Sequence, residues 1–267
     1  MTVPVDPGPL EAALRARRSG GGKALVPYLT GGLGDWQAAL AAAADAGADA
    51  VEVGIPFSDP VMDGPVIQEA NDRALAAGVT PVGVLDDLGR VDVGIPLAVM
   101  TYYNIAFRFG LERFASVLAD RGVAAAILPD LPLEETGPWA EAADAAGVET
   151  VLLAAPTATE ERLRRICART RGFVYGVGLL GVTGVRDELA SSAVDMAARL
   201  KQITDTPVLV GVGVGTPEQA RQVCRVADGA VVGSAVVRRM LDDGGPVAVG
   251  GLVEGFRRAL DDSGVSG

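Results

Sequence analysis

The chain has 267 residues, 49% of them apolar, a length that suits one large domain or two small ones. It carries 34 acidic and 23 basic side chains, and this net charge of −11 argues against nucleic acid or an anionic membrane as a partner. The sequence contains no histidine, which excludes Ser-His and Cys-His nucleophile pairs and the common zinc sites. Carboxylates, tyrosine, lysine and backbone groups are left to carry any chemistry.

The N-terminal sequence, the lengths of the apolar stretches and the two cysteines bear on the cellular location of the protein. Residues 1–9 contain three prolines and an aspartate and no apolar core of a signal peptide, and no later apolar stretch reaches about 18 residues. Cys167 and Cys224 have no Cys or His nearby in the sequence, which favours two reduced thiols over a disulfide. We therefore expect a soluble, cytoplasmic protein.

Apolar runs alternate with helical segments along the chain, beginning with a short helix over residues 10–18. The apolar runs predict eight strands, over residues 24–29, 50–55, 97–102, 124–128, 150–154, 173–177, 208–212 and 229–232. The later helices are predicted over residues 36–46, 66–77, 81–88, 111–120, 134–146, 160–169, 191–202, 217–226 and 249–260.

This alternation indicates the fold class. Each strand is a short, continuous apolar run, which is typical of a parallel sheet buried on both faces. Eight βα units without a linker favour a (β/α)8 TIM barrel, one domain over residues 1–267 with a short N-terminal helix, over an open doubly wound sheet. The glycine-rich stretch at 211–215 also lacks the spacing of a dinucleotide-binding loop. In a barrel, the active site is expected where the strands end.

Two carboxylates fall near that end of the second strand. Glu52 lies inside an apolar run, where a carboxylate is a poor strand residue and is unfavourable to bury. If it faces the barrel, desolvation raises its pKa toward the range useful for proton transfer; the alternative is a Glu52 that faces solvent or a satisfied polar network. Asp63, on the following loop among glycine and proline, is expected to be wetter and to stay ionised. Two carboxylates with separated pKa values would suit an acid/base pair.

Glycine clusters follow the last three strands, at residues 181–184, 211–213 and 233–235. Barrels often bind phosphate after strands 7 and 8, where a helix presents its N-terminal N–H groups. Glycine permits close approach of the backbone, and Ser234 can add a hydroxyl. Taken singly, each cluster is also typical of an ordinary turn.

The sequence closely resembles the α subunits of tryptophan synthase. Residues 52–60, with the sequence EVGIPFSDP, and residues 63–68, DGPVIQ, reproduce that family's signature stretch. Further agreement lies at residues 100–104, 129–132, 181–184, 211–213 and 233–235, so the resemblance extends over nearly the whole chain.

The resemblance implies a carbon–carbon lyase of tryptophan biosynthesis that splits indole-3-glycerol phosphate into indole and glyceraldehyde 3-phosphate without a metal or organic cofactor. It implies that Glu52 is the general acid/base and that Asp63 holds the indole N–H. The implied substrate pocket consists of Tyr28, Met100, Tyr102, Ile127, Leu153, Tyr175, Val177 and Thr183. The implied phosphate site consists of Gly184, Gly213, Gly233 and Ser234. Plain packing in the barrel core is the alternative role for each apolar pocket residue.

The resemblance further implies a β subunit partner in an α2β2 complex, facing the loop after strand 2 and the region of Asn104. The chain departs from the family at Gly178, where a serine is usual, and at residues 105–106. These departures leave open a stand-alone lyase that releases free indole, and, less favoured, a catalytically silent regulator of β. A phosphosugar isomerase is a further alternative, which the pocket tyrosines disfavour because they suit a flat aromatic substrate.

Overall fold

The computed structural model describes residues 6–178, 186–211, 213–242 and 244–262, and for residues 186–191 the backbone alone. Eight parallel strands close into a barrel in sequence order, which confirms the predicted TIM-barrel fold. The strands are β1 Ala24–Thr30, β2 Val51–Gly54, β3 Leu97–Met100, β4 Val123–Ile127, β5 Glu149–Ala154, β6 Val174–Gly176, β7 Val208–Val210 and β8 Gly229–Val232.

Helices surround the barrel and separate its strands. They are α1 Pro9–Ser19, α2 Trp36–Asp45, α3 Pro65–Ala76, α4 Pro81–Leu88, α5 Tyr103–Phe109, α6 Leu111–Asp120, α7 Gly137–Ala146, α8 Glu160–Arg169, α9 Arg186–Lys201, α10 Pro217–Cys224, α11 Ser234–Leu241 and α12 Gly245–Asp261, with a short 3-10 helix at Leu133–Glu135. No helix in the described ranges is long and apolar enough to cross a membrane. Cys167 in α8 and Cys224 in α10 are both buried and unpaired.

Two helices, α5 and α11, are not predicted from the sequence; they have only 7 and 8 residues, and neither begins with a residue whose own side chain caps it. The N-terminus of α5 is capped from a distance: the Asp130 carboxylate, after β4, accepts a 2.8 Å hydrogen bond from the Tyr103 N–H. Helix α11 follows Gly233 directly. Such caps arise from tertiary structure and leave no local signal.

Three predicted helices differ from the structure by more than two residues at one end or are divided, whereas the other predicted helices agree to within two residues at each end. The helix predicted over 134–146 is divided into the 3-10 helix and α7, separated at Thr136. Helix α9 begins at Arg186 rather than at 191, and α12 begins at Gly245 rather than at 249. In α12 the proline at the first turn suits a helix start, because its missing N–H has no partner there in any case.

Helix α1 closes the end of the barrel where the strands begin. Its Leu10 and Leu14 are buried in the same apolar cluster as side chains of the barrel interior. Those interior residues include Val26, Ala98, Ala125, Val151, Leu209 and Val231. The opposite end of the barrel, where the strands finish, is left to form a site.

A buried carboxylate from β5 holds α1 in that position. Glu149 accepts hydrogen bonds from the N–H groups of Leu10 and Glu11 at 2.7 and 2.9 Å. These are orphan donors of a helix whose own N-cap, Gly8, has no side chain to offer. Burial raises the pKa of Glu149 to about 7, and the two backbone donors oppose this rise.

We expect Glu149→Ala to destabilise the fold by about 2 kcal/mol, because two buried N–H groups would lose their acceptor. Glu149→Gln, which keeps one acceptor oxygen, should lose less. Thermal unfolding at pH 7 measures both changes. Glu141→Ala, on the exposed face of α7, is the control and should unfold with the wild type. An unchanged midpoint for Glu149→Ala would show that α1 does not depend on this cap.

Candidate active site

A cavity of about 200 Å³ opens where the barrel strands end. It is lined by Tyr28, Glu52, Met62, Asp63, Gly64, Ile67, Met100, Pro129, Leu153, Tyr175, Val177, Gly211, Gly213, Gly233 and Ser234. Both candidate carboxylates and most of the predicted pocket residues therefore meet in one place. A larger hollow of about 570 Å³ lies beside it and shares Met62, Pro129 and Leu153, but neither Glu52 nor Asp63 reaches its wall.

Some predicted site residues lie elsewhere. Ile127 is fully buried in the cluster of the barrel interior and does not line the cavity. Tyr102 packs against the loop after β2 instead of lining the cavity. Thr183 and Gly184 lie outside the described residues.

Five lining residues were not predicted as site residues: Met62, Gly64, Ile67, Pro129 and Gly211. Gly64, Ile67, Pro129 and Gly211 fall within motifs that the sequence offers, and Met62 lies between the two parts of the signature stretch, next to Asp63. Their side-chain types carry no chemical signal, so only the motif could have indicated them.

Glu52 lies in β2, level with Tyr28 of β1 and Ala98 of β3. It is 1% exposed, and neither carboxyl oxygen has a hydrogen-bond partner within the described part of the chain. Burial, with a smaller contribution from the charge of Asp63, raises its pKa to about 8. Glu52 is therefore mainly protonated at neutral pH, the state that a general acid requires.

Asp63 stands at the entrance to α3 and is held there by that helix. The side chain of Gln68 donates a 2.7 Å hydrogen bond to the Asp63 carbonyl, and Asn71 Nδ2 donates one to Asp63 Oδ2 at 3.4 Å. Asp63 lies on the loop between β2 and α3, as the sequence predicts, but it is half-buried there instead of well hydrated, and burial raises its pKa. Hydrogen bonds from Tyr102 and Asn71 oppose this rise and favour the ionised form.

Tyr102 ties down the loop that carries Asp63. Its hydroxyl accepts a 2.9 Å hydrogen bond from the Met62 N–H, and its ring stacks on Phe57 with centroids 4.9 Å apart. The loop is thus fastened near both of its ends to the start of α5.

Two tyrosines form the cavity walls and lie directly against glycines. A Cβ placed on Gly54 would overlap the Tyr28 ring, and one placed on Gly211 would overlap the Tyr175 ring. Both tyrosines are almost fully buried. Glycine at these two positions gives the rings their room, and the rings give the cavity flat apolar sides.

The remaining end of the cavity is formed by backbone and glycine. A second hollow of about 330 Å³ shares Gly211, Gly213, Gly233 and Ser234 with the first and extends to Thr216 and Gln219. Ser234 begins α11, so free N–H groups of a helix N-terminus lie at this wall. Gly213 has a φ of +81°, a conformation that side-chain-bearing residues rarely adopt. The arrangement suits an anion bound through backbone groups.

The described residues form no metal site. Across the described ranges, no group of three or more Cys, Asp or Glu side chains is arranged to hold a metal ion.

Comparison with known proteins gives a consistent family. The family model described as tryptophan synthase alpha chain matches residues 14–247. The tryptophan synthase alpha chain of Streptomyces coelicolor is 46% identical over 262 residues, covering 95% of this chain and 94% of the relative. That of Thermobifida fusca is 43% identical and covers 87% of this chain and 89% of the relative.

Solved structures agree with the sequence relatives. A chain of Mycobacterium tuberculosis tryptophan synthase matches with a TM-score of 0.88 at 35% identity, covering 96% of this chain and 99% of the solved one. The tryptophan synthase subunit alpha of Legionella pneumophila matches with a TM-score of 0.86 at 31% identity, again with 96% and 99% covered.

Glu52 should make stability depend on pH. Its pKa is about 8 in the fold and about 4.5 unfolded, so between these values the native state binds the proton more tightly and stability falls as pH rises. Glu52→Gln cannot ionise. We expect its advantage over the wild type to be near zero below pH 4.5 and to grow to roughly 4 kcal/mol at pH 8.

Chemical denaturation at a series of pH values measures this difference. Glu141→Gln, an exposed carboxylate on α7, is the matched control and should follow the wild type at every pH. A constant difference between Glu52→Gln and the wild type would mean that Glu52 is ionised in the fold at neutral pH.

Proposed function

Because the chain belongs to the tryptophan synthase alpha chain family, we propose that Glu52 and Asp63 carry out that family's lyase reaction at the mouth of this barrel. The family cleaves indole-3-glycerol phosphate to indole and glyceraldehyde 3-phosphate in tryptophan biosynthesis. The observation that carries the proposal is a buried Glu52, without a hydrogen-bond partner among the described residues, in the same cavity as the half-buried Asp63.

Glu52 is proposed to act first as an acid and then as a base. Its carboxylic acid gives a proton to the indole ring carbon that bears the side chain, which leaves a positive charge on the ring nitrogen. The resulting carboxylate takes the proton from the hydroxyl on the adjacent side-chain carbon. The carbon–carbon bond then breaks, its electrons return to the ring, and the hydroxyl becomes the aldehyde. Glu52 ends the cycle protonated, as it began.

Asp63 is proposed to stabilise the intermediate between these two steps. The ring nitrogen gains positive charge only after protonation of the ring, so a carboxylate near it stabilises the intermediate more than the substrate. The apolar walls strengthen this attraction, because a charge pair interacts more strongly away from water.

The flat walls of the cavity are proposed to hold the indole ring. Tyr28 and Tyr175 are the buried aromatic sides, and Met100, Leu153 and Val177 add apolar contacts. This composition also counts against a phosphosugar isomerase, whose small polar substrate would leave the walls unfilled.

The phosphate is proposed to bind at Gly213, Gly233 and Ser234, where the N-terminus of α11 offers backbone donors. We extend the same proposal to Gly184, and a substrate contact to Thr183, both outside the described residues. The bound phosphate would anchor the substrate at a distance from the bond that breaks. No metal or organic cofactor is needed for this mechanism.

Alpha chains of this family form a complex with the β subunit, and we propose an α2β2 assembly for this chain. The loop after β2 and helix α5 are proposed to face the partner, since Val61 is 79% and Phe107 62% exposed there. The biosynthetic role of the family and the two unpaired thiols support a cytoplasmic location.

The first test is release of indole by the purified chain, alone and with its cognate β subunit. We expect a slow reaction alone and a faster one with β. Glu52→Gln should lower the rate roughly 10²- to 10⁴-fold, and Asp63→Asn roughly 10²- to 10³-fold. Asp59→Asn is the matched control on the same loop, because Asp59 is exposed and contacts Ser58; its unaided rate should equal that of the wild type.

The outcomes separate the alternatives. A fast reaction that β does not change would favour a stand-alone lyase, and a wild type without activity would favour a silent regulator. Indole release by Glu52→Gln at the wild-type rate would contradict the proposed chemistry.

The second test concerns the phosphate site. Ser234→Ala should raise KM about tenfold with kcat nearly unchanged, because the hydroxyl contacts a group that does not react. Inorganic phosphate should compete with the substrate, and less strongly in the variant. The dephosphorylated substrate is the control and should be cleaved equally by both proteins. A lowered kcat at unchanged KM would place Ser234 at the reacting atoms instead.

A further inference from the structure

Helix α3 uses two of its own side chains to hold the residue that precedes it. The N-cap of α3 is Gly64, which has no side chain to satisfy the first N–H groups. The side chain of Gln68 donates back to the Asp63 carbonyl, and the side chain of Asn71, one turn farther along, donates to the Asp63 carboxylate. The backbone and the carboxylate of Asp63 are therefore fixed by different turns of one helix.

Asn71 is an unusual residue for the position it occupies. It is 2% exposed, although asparagine is mostly found at protein surfaces. Its Oδ1 is buried without a hydrogen-bond partner in the described part of the chain, which is unfavourable. Within the described residues, its Nδ2 donates a hydrogen bond to Asp63 Oδ2 alone. An apolar side chain of this size would fit the core better, so the amide is explained by Asp63 and not by packing.

Among the side chains that the structure describes, the groups around Asp63 supply no positive charge. Those that face it are Glu52 of β2, Tyr28 of β1, Tyr175 of β6 and Tyr102 before α5, which are acidic or neutral. An ionised Asp63 in this half-buried place must be stabilised by neutral donors.

Two charged side chains on the outer side of α3, Glu69 and Arg73, form ion pairs. Arg73 pairs with Glu69 at 2.6 Å, and Glu69 also pairs with Arg238 of α11 at 3.4 Å. Asn71 and Tyr102 are then the two side chains whose hydrogen bonds favour the Asp63 carboxylate.

We propose that Asn71 is a positioning residue, which orients the Asp63 carboxylate toward the ring nitrogen of the substrate and favours its ionised form. The inference rests on the role proposed for Asp63 and adds the residue through which α3 controls it. The orientation of the Asn71 amide fits an ionised Asp63, because its NH2 group donates to the carboxylate. A protonated Asp63 could also donate to the amide oxygen, so it would be compatible with the opposite orientation of the amide as well. Because Tyr102 remains as a second donor, loss of Asn71 weakens the control and does not abolish it.

The test compares Asn71→Leu with the wild type through the pH profile of indole release. Leucine has a similar size and no donor, so kcat at neutral pH should fall about tenfold, and the acid limb of the profile should move up by about one pH unit. Thr150→Val is the matched control. It removes another buried, unpartnered side-chain oxygen, from β5 and away from the cavity, and its profile should equal that of the wild type.

The pH profile of Asn71→Asp is an independent test, in a variant that keeps the shape of the side chain. A protonated carboxyl at this position can still donate to Asp63, and the first proton leaves such a pair at low pH. Its acid limb should therefore not move up, in contrast to that of Asn71→Leu. If Asn71→Leu does not fold, the pH profile of Asn71→Asp alone tests the proposal. An acid limb at higher pH than in the wild type would then overturn it.

Different results would contradict the role of Asn71 and the proposed lyase function. If Asn71→Leu has the wild-type profile while Asp63→Asn is inactive, Asn71 has only a structural role and the lyase mechanism stands. If the wild type, with and without β, releases no indole, the proposed function itself is wrong.

Discussion

The desolvation of Glu52 is the constraint on which the rest of the site depends. Glu52 has no hydrogen-bond partner among the described residues, and its burial favours the neutral acid. Asp63 shares the cavity, but hydrogen bonds from Tyr102 and Asn71 oppose the rise in its pKa and favour its ionised form. Two side chains of similar chemistry are thereby given different properties by their surroundings.

The barrel divides its buried carboxylates between its two ends. At one end Glu149 is satisfied by the first N–H groups of α1, and that contact closes the barrel. At the other end Glu52 lies beneath an open cavity, with no hydrogen-bond partner in the described part of the chain. Satisfied polar groups stabilise a fold, whereas unsatisfied ones keep a capacity to react, and the closed barrel separates the two along its axis.

Much of the architecture could be predicted from the sequence, because each strand of a barrel is a continuous apolar run. The place of Glu52 at the site could also be predicted, since a carboxylate inside such a run demands a reason, and Asp63 follows it on the loop at the same end of the barrel. Asn71 could not, as it occupies an ordinary helical position and acquires its meaning only from burial and from the carboxylate beside it. Tyr102 was assigned to the pocket wall by resemblance, but its contact with Met62 is a matter of loop geometry. Helix α5 was missed for the same kind of reason, because Asp130 caps it from another strand.

The close fit of Tyr28 against Gly54 and of Tyr175 against Gly211 has a consequence for how such a pocket can change over generations. Neither glycine can acquire a side chain while its tyrosine keeps its place, and a smaller residue in place of either tyrosine leaves a void over the glycine. Each pair is thus an epistatic unit, in which a harmful first substitution can become tolerable after a second. Divergence toward a different substrate would have to pass through paired replacements at these walls.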